Sequence, residues 1–595
     1  MRGSFIVRAF SMIAVPTALL AGSQVITYPA PPEAKTSTDF TVTVNGQPLV
    51  VYKDVRYYFV NFSMAGTVTM NVRWTLGFNS AVVRPLSHGI TPVVTNKSAT
   101  FTFTGPRNIS LESNDDEGRA YGDGEWPDVV PALLIFANPL EVNVPSPTDP
   151  AVQYYGPGYH EIGTYALTAA KKTVYLAGGA YLHGRFHVRG VNDALIFGRG
   201  ILNSWDPNAG GPNQEEAAIF TQNCSGLRVQ GITVTHNGTW AWTTVFRGAS
   251  QVVFDNYHVV SWIMWNDDGI QPRADHSVFN RCFSAVADDD YSMTGGNHQT
   301  YLNCVGRAGA SRTFQVWYPA TFGVYKGCEV IGPATRHEWA AILFEGGDQD
   351  QNFLFEDLNV EVSNKWLEAH GPNHYFKDIN VLKSTCYAHN PDASNLVFEN
   401  LRVGGKLVLS TSDMPWLGGQ ATCKATDPTT PAVRIYSPTR YDSCDVVTGP
   451  SFTLRFTVSN WNMTPGGKGF RWFVNGKDMG LRHTADPIDI TDLPIGPNAV
   501  VIKLVDEAGQ YIRFMDAIVV TVAGQNVGAQ RGGLQSLSQH TPAVAADPMD
   551  LFAIDGRRIA ARKCGLAPLG RDRTGVYLIR QSDNTGGRAR RIVAR

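Results

Sequence analysis

Two strings of carboxylates carry the chemistry of this chain: WNDDGIQP, Trp265 to Pro272, and ADDDYSM, Ala287 to Met293. Asp268 and Asp289 are 21 residues apart, and the cysteines that follow the strings, Cys282 and Cys304, are 22 apart. Crowded carboxylates raise one another's pKa values, so a fold keeps such a cluster only at an electrostatic cost. The same crowding separates a protonated acid from an ionised partner. Cleavage of a glycosidic bond needs that pair, one group to protonate the leaving oxygen and the other to activate water or attack carbon. A single aspartate reads as a turn cap, and a cluster of hard oxygens also suits calcium, which would point toward a lyase. Repetition of the string at one fixed step favours acid–base work, with no metal or other cofactor required.

Asp268 and Asp289 rank first as catalytic residues, with Asp288 and Asp290 competing for the third place. Aromatic rings crowd the same stretch. Trp265 and Trp317 adjoin the strings, and Trp242 and Tyr318 add further faces on which sugar rings stack; Trp240 and Trp262 read equally well as interior packing. Gln271, His298, Arg312, Gln315 and Glu345 complete the expected cleft, although Glu345 and His337 also suit ordinary turns.

The element that must bring the two strings together is repetitive. From about 170 to 410, short β runs end in Asn, Asp or Gly at steps of roughly 20 to 30 residues: LRVQGITVTHN, VVFDNYHVV, SVFNRCFSAV, TYLNCVGRA, GVYKGCEVI and FLFEDLNVEV among them. Strand formers without helical periodicity make a β-solenoid, in which each coil buries its apolar face only by stacking on the next. Cys282, Cys304 and Cys328 then read as stacked interior residues, with a disulfide the lesser alternative. The fold class expected is all-β: a right-handed parallel β-helix over residues 149–425, a β-sandwich before it (24–148), an immunoglobulin-like β-sandwich after it (426–524), a linker (525–547) and a small β-rich module (548–595).

Composition sets the remaining limits. Fifty basic against 52 acidic residues, a net charge of −2, advertise neither nucleic acid nor a membrane surface and favour a neutral ligand. Arg2 and Arg8 precede an apolar run, Phe10 to Leu20, interrupted by Pro16, so residues 1–23 read as an export signal and not a membrane span. A secreted, monomeric, polysaccharide-binding protein is the expectation.

The run from about 130 to 320 resembles the β-helix glycoside hydrolases of family 49, the dextranases and isopullulanases, and more distantly the family 28 polygalacturonases. ALLIFANP, YYGPGYHE, VYLAGGAYLHGRF, GRGIL, the Asp-Gly at 268 and 269, the Asp pair within 288 to 290 and FQVW (Phe314 to Trp317) carry the likeness. The resemblance implies an inverting hydrolysis, with Asp289 as proton donor and Asp268 plus Asp288 or Asp290 activating water; such pairs stand roughly 6.5–9.5 Å apart. Polygalacturonases carry Gly-His-Gly and Arg-Ile-Lys motifs that this chain lacks, so a neutral α-glucan is expected before an acidic polysaccharide, which Arg312 or Arg273 would otherwise hold. A lyase and a noncatalytic carbohydrate-binding β-helix are the rival readings. LFAIDGRR and GVYLIR near the C-terminus resemble the sorting domains of type IX secretion, which implies a secretion-machinery partner.

Overall fold

The computed structural model describes residues 23–54, 57–113, 132–204, 214–236, 244–261, 267–307, 311–332, 340–386, 393–413, 421–438, 446–447, 449–524, 549–552, 558–562, 577–580 and 590–592. Residues 1–525 form one unit and 526–595 another. Among the described residues, helix is confined to short 3-10 turns such as Leu86–His88. The second unit holds a four-stranded antiparallel sheet built from Met549–Phe552, Arg558–Arg562, Tyr577–Arg580 and Arg590–Ile592.

The repeats wind into a 29-stranded solenoid whose coils pair in parallel. Each coil contributes to three faces. The first stacks Val253–Asp255, Val278–Asn280, Thr300–Leu302 and Val324–Lys326. The second stacks His258–Ser261, Phe283–Ala285, Val305–Arg307 and Glu329–Ile331. The third stacks Thr244–Arg247, Ile270–Gln271, Tyr291–Asn297, Arg312–Thr321 and Ala340–Phe344. Between the first and second faces one residue per coil turns through the left-handed region: Asn256 (φ 52°), Arg281 (φ 52°), Asn303 (φ 52°), Asp357 (φ 56°) and Asn400 (φ 55°). Asn and Asp tolerate that conformation better than other side chains, which accounts for the Asn/Asp punctuation of the repeats.

Just past that turn, Cys282, Cys304 and Cys328 are buried free thiols on successive coils. Beside them the rings of Phe279, Tyr301, Tyr325, Phe355, Phe376 and Phe398 stack at centroid spacings of 4.9, 4.5, 4.6, 5.1 and 4.9 Å, close to the spacing of paired strands.

Two of the three faces are covered by other parts of the chain. Before the solenoid, a six-stranded and a five-stranded sheet share a core around Val60, Phe62, Val72 and Phe101. The outer side of the first of these sheets packs through Tyr57, Phe59 and Phe136 on Val260, Phe283, Ala287 and Val305 of the second face. After the solenoid, a three-stranded and a five-stranded sheet share the core of Leu454, Phe470 and Val500. Phe473, Val501 and Val519 of that module pack on Val253, Val278 and Leu302 of the first face. Neither packing contact involves the third face.

Candidate functional site

The aspartate strings fall where the second face turns into the third. Gly269 N–H donates to the Asp289 carbonyl at 2.8 Å, Ile270 N–H to the Asp290 carbonyl at 3.0 Å, and Asp290 N–H to the Arg312 carbonyl at 3.0 Å, so consecutive coils are pinned at this corner. A Cβ at Gly269 would collide with Ser284 Oγ and the Asp290 carbonyl oxygen. This close approach requires the Gly of the Asp-Gly pair.

Three carboxylates converge. Asp268, Asp288 and Asp289 are buried, and each places an oxygen within 4.8 Å of the others. Burial, then the charges of Asp288, Asp289 and Asp267, push the Asp268 carboxyl well above the usual carboxylate range, against the pull of Arg312. Asp289 is raised to about 8, by burial first and by Asp288 second, with Arg312 and Ser311 opposing. The site therefore holds at least one carboxylic acid protonated at neutral pH, the condition for a general acid. The three oxygens also span a distance that a divalent cation could bridge. Among the described residues the positive charge beside the aspartates comes from Arg312, whose Nη1 lies 3.4 Å from Asp289 Oδ1 while its backbone N–H donates to the same oxygen at 3.1 Å.

Around the aspartates the polar residues form a chain. Gln271 donates to Asp268. Gln315 Nε2 donates to Glu345 Oε2 at 2.9 Å, and Ser292 Oγ donates to the Gln315 side-chain oxygen. Arg312 Nη2 reaches Glu345 Oε1 at 2.8 Å, so one guanidinium is shared between Asp289 and Glu345. Trp317 and Tyr318 are exposed on the same strand, their rings 5.3 Å apart.

Two residues anticipated at the cleft stand elsewhere. Asp290 is fully buried on the inner side of the corner, its Oδ2 3.0 Å from where a Cβ would stand at Gly306, and burial holds its carboxyl well above the usual range. The bend at residues 287–290 brings Asp288 and Asp289 together and turns Asp290 in. His298 is a left-handed corner residue (φ 59°) leading into the first face. Its ring lies between His276 at 4.7 Å and Phe322 at 5.0 Å, with Tyr511 of the following module edge-on at 4.8 Å, and burial with Lys503 pushes it down to about 2. It belongs to that module junction. Trp242 and Trp265 lie outside the described residues, as do Trp240, Trp262 and His337.

Three neighbours were not singled out from the sequence. Asp267 accepts from Ser261 Oγ at 2.8 Å and from Ala287 N–H at 3.4 Å. Ser311 accepts from Arg312 Nη1 at 2.7 Å, and Ser292 occupies the outward position between Gln271 and Gln315. The Asp-Asp doublet at 267 and 268 was the available signal for the first; the serines carry none.

No protein-family model matches the sequence, and no curated protein matches it. Solved structures similar to the chain include Dex49A from Penicillium minioluteum, at 14% identity over 67% of this chain and 96% of that one, with a TM-score of 0.49. The family 28 exopolygalacturonase of Yersinia enterocolitica is similar at 11% identity over 71% and 97% of the two chains, TM-score 0.30. The catalytic domain of a GH87 alpha-1,3-glucanase is similar at 10% identity over 68% and 88%, TM-score 0.27.

Proposed function

We propose that this chain is a secreted glycoside hydrolase that cleaves a polysaccharide by carboxylic acid catalysis, with Asp289 as proton donor and Asp268 and Asp288 as the groups that activate water. One observation carries the reading: three buried carboxylates from adjacent coils meet within 4.8 Å at the edge of the third face. Asp289 suits the donor because it is raised to about 8 and is fixed by Arg312. Gln271, Gln315, Trp317 and Tyr318 offer the hydrogen bonds and ring faces that sugars use.

The neutral α-glucan favoured by the sequence asks mainly for ring faces and amides, whereas an acidic polysaccharide asks for cations. On this reading the two-sheet modules are β-sandwiches, the second of immunoglobulin type, that cover the faces not used for substrate. Residues 1–23 direct export and the terminal unit serves sorting; no helix among the described residues is long and apolar enough to cross a membrane.

The test is release of reducing ends from dextran, pullulan, polygalacturonate and a sulfated galactan. Asp289→Asn should lower kcat by about 10²–10⁴-fold while leaving the melting temperature near that of the parent. Full activity in that variant, or ultraviolet-absorbing unsaturated products lost with chelator, would end the proposal. A second course, in which one aspartate attacks carbon directly as in retaining enzymes, uses the same three carboxylates. Proton NMR of the first product distinguishes them, the inverted anomer supporting water attack and the retained anomer a covalent intermediate.

A further inference from the structure

The corner where the third face turns into the first carries one left-handed residue per coil: Gln251 (φ 57°), His276 (φ 53°), His298 (φ 59°) and Phe322 (φ 56°). Backbone hydrogen bonds hold successive rungs in register, His276 N–H donating to the Asn297 carbonyl and His298 N–H to the Thr321 carbonyl, each at 3.0 Å. Their side chains stack in consequence, His276 on His298 at 4.7 Å and 18°, His298 on Phe322 at 5.0 Å and 13°. The module that follows the solenoid closes over this ladder. Its Phe473 stacks on His276 at 5.4 Å, and its Tyr511 meets His298 edge-on at 4.8 Å and Phe322 at 6.1 Å. Gly476 of the same module comes so close that a Cβ there would stand 2.6 Å from the His276 carbonyl oxygen.

The same junction buries Lys503, 5% exposed on the module's strand Gly496–Val505. Among the described residues its ammonium has no hydrogen bond and no ion pair, and its close contact is the Phe473 ring, 5.5 Å to the centroid. The charged groups facing the two imidazoles are Asp275 from the corner itself and Lys503 and Asp478 from the module, with Arg471 paired to Asp478 at 2.7 Å. Both acids are exposed and engaged, Asp275 accepting from Asn297 N–H at 2.6 Å and Asp478 from Gly480 N–H at 2.8 Å. Burial first and Lys503 second hold His276 below the usual imidazole range, against Asp275 and Asp478. Burial, then Lys503 and His276, push His298 down to about 2, and burial lowers Lys503 to about 7. A proton taken up by either ring therefore meets both a low dielectric and a neighbouring base.

We propose that this junction is an acid-released latch: protonation of the stacked histidines beside Lys503 lets the second module lift from the first face at this corner. The latch goes beyond the hydrolase reading and does not require it. At neutral pH the apolar contact of Phe473, Val501 and Val519 with Val253, Val278 and Leu302 keeps the module seated. With the module seated, all three bases bind protons less readily than they do in water, so the seated state binds fewer protons than the released one and weakens as pH falls. Lys503 contributes between its ordinary 10.5 and about 7, and the histidines from their ordinary 6.5 downward. Imidazole is the group whose ordinary value places that second step at mildly acid pH. Asp275 and Asp478 oppose release, but both stand at the solvent edge, where salt screens them.

Hydroxyl-radical footprinting of the full chain from about pH 7.5 to about pH 4.5 reads the junction through buried Met515 and through Tyr511, with Met70 of the N-terminal core and Met293 of the solenoid core as references. Labelling of Met515 should rise about 3-fold or more at the acid end while both references stay level. His276→Phe combined with His298→Phe keeps the ring stack, as Phe322 does at the equivalent corner, and should abolish the rise. Lys503→Met should move the rise toward acid by about one pH unit, whereas Lys406→Met, at an exposed position of the strand Lys406–Leu407, should leave it where the parent has it. A flat response in the parent, an equal rise in the doubly substituted chain or, should that chain not fold, an unmoved rise in Lys503→Met overturns the proposal. A rise shared by Met70 and Met293 overturns it too, because the whole unit would then be unfolding and not the junction.

Discussion

Arg312 is shared between two acids, and the division of its charge sets how firmly Asp289 keeps its proton. Glu345, at 2.8 Å, draws the guanidinium away from Asp289, at 3.4 Å, and its own negative charge further favours the protonated form. If Asp289 is the donor, kcat/KM should fall as pH rises through about 8, where that proton is lost. Glu345→Gln removes the competing charge and leaves Arg312 to stabilise the Asp289 carboxylate, so its pKa falls. The alkaline limb of the profile should then move toward acid by about one unit, while Glu345→Asp should restore most of the original position. A limb that stays in place in Glu345→Gln would show that Arg312 does not couple the two acids.

The coil is the element that makes such sharing possible, and its tolerance is small where neighbouring corners meet. At Gly306 a Cβ would collide with Thr313 Cγ2 and come within 3.0 Å of Asp290 Oδ2. Gly306→Ala should therefore cost about 1–3 kcal/mol in chemical denaturation, the usual range for an overpacked core, and should lower kcat as well, because Thr313 adjoins Arg312. Loss of stability with kcat unchanged would mean that the corner does not hold the catalytic geometry. The coil itself was legible in the sequence because its left-handed turns favour Asn, Asp or Gly: VVFDN and TYLNC carry Asn256 and Asn303 at that turn, whereas SVFNR turns at Arg281. The aspartate strings were legible for the same reason, being displaced by one coil. The course of the bend at the corner was not, because residues 287–290 follow no strand alternation, so Asp288 and Asp290 stayed level until the backbone turned one toward Asp268 and the other beneath Gly306. His298 misled because corner residues face whichever module covers the next face.

At the scale of the molecule, the aspartate corner is backed by charges buried between the N-terminal sheets and the second face. Glu112 bridges Arg84 and Arg307, each at 3.0 Å, and Arg307 Nη1 donates to Tyr57 Oη at 3.1 Å. These arginines hold the Glu112 carboxyl below its usual range despite burial, so its stabilising effect is present above its unfolded pKa and is lost as pH falls through the folded value. Glu329, at the same junction, has the opposite sign. It accepts from Ser87 Oγ at 2.7 Å and Asn359 Nδ2 at 3.0 Å on one oxygen, its other oxygen has no hydrogen-bond partner among the described residues, and burial raises it to about 8. Between its ordinary value of 4.5 and about 8 the folded chain binds the proton that the unfolded chain releases, so stability falls as pH rises through that window. Glu361, raised to about 7, adds to the same slope. Glu329→Gln keeps an oxygen for Ser87 and Asn359 but cannot ionise. Its melting temperature should therefore decline less than that of the parent between about pH 6 and pH 8.5, with the residual slope supplied by Glu361. Parallel declines would mean that Glu329 is already ionised at the junction at pH 6, and that another cation reaches it there.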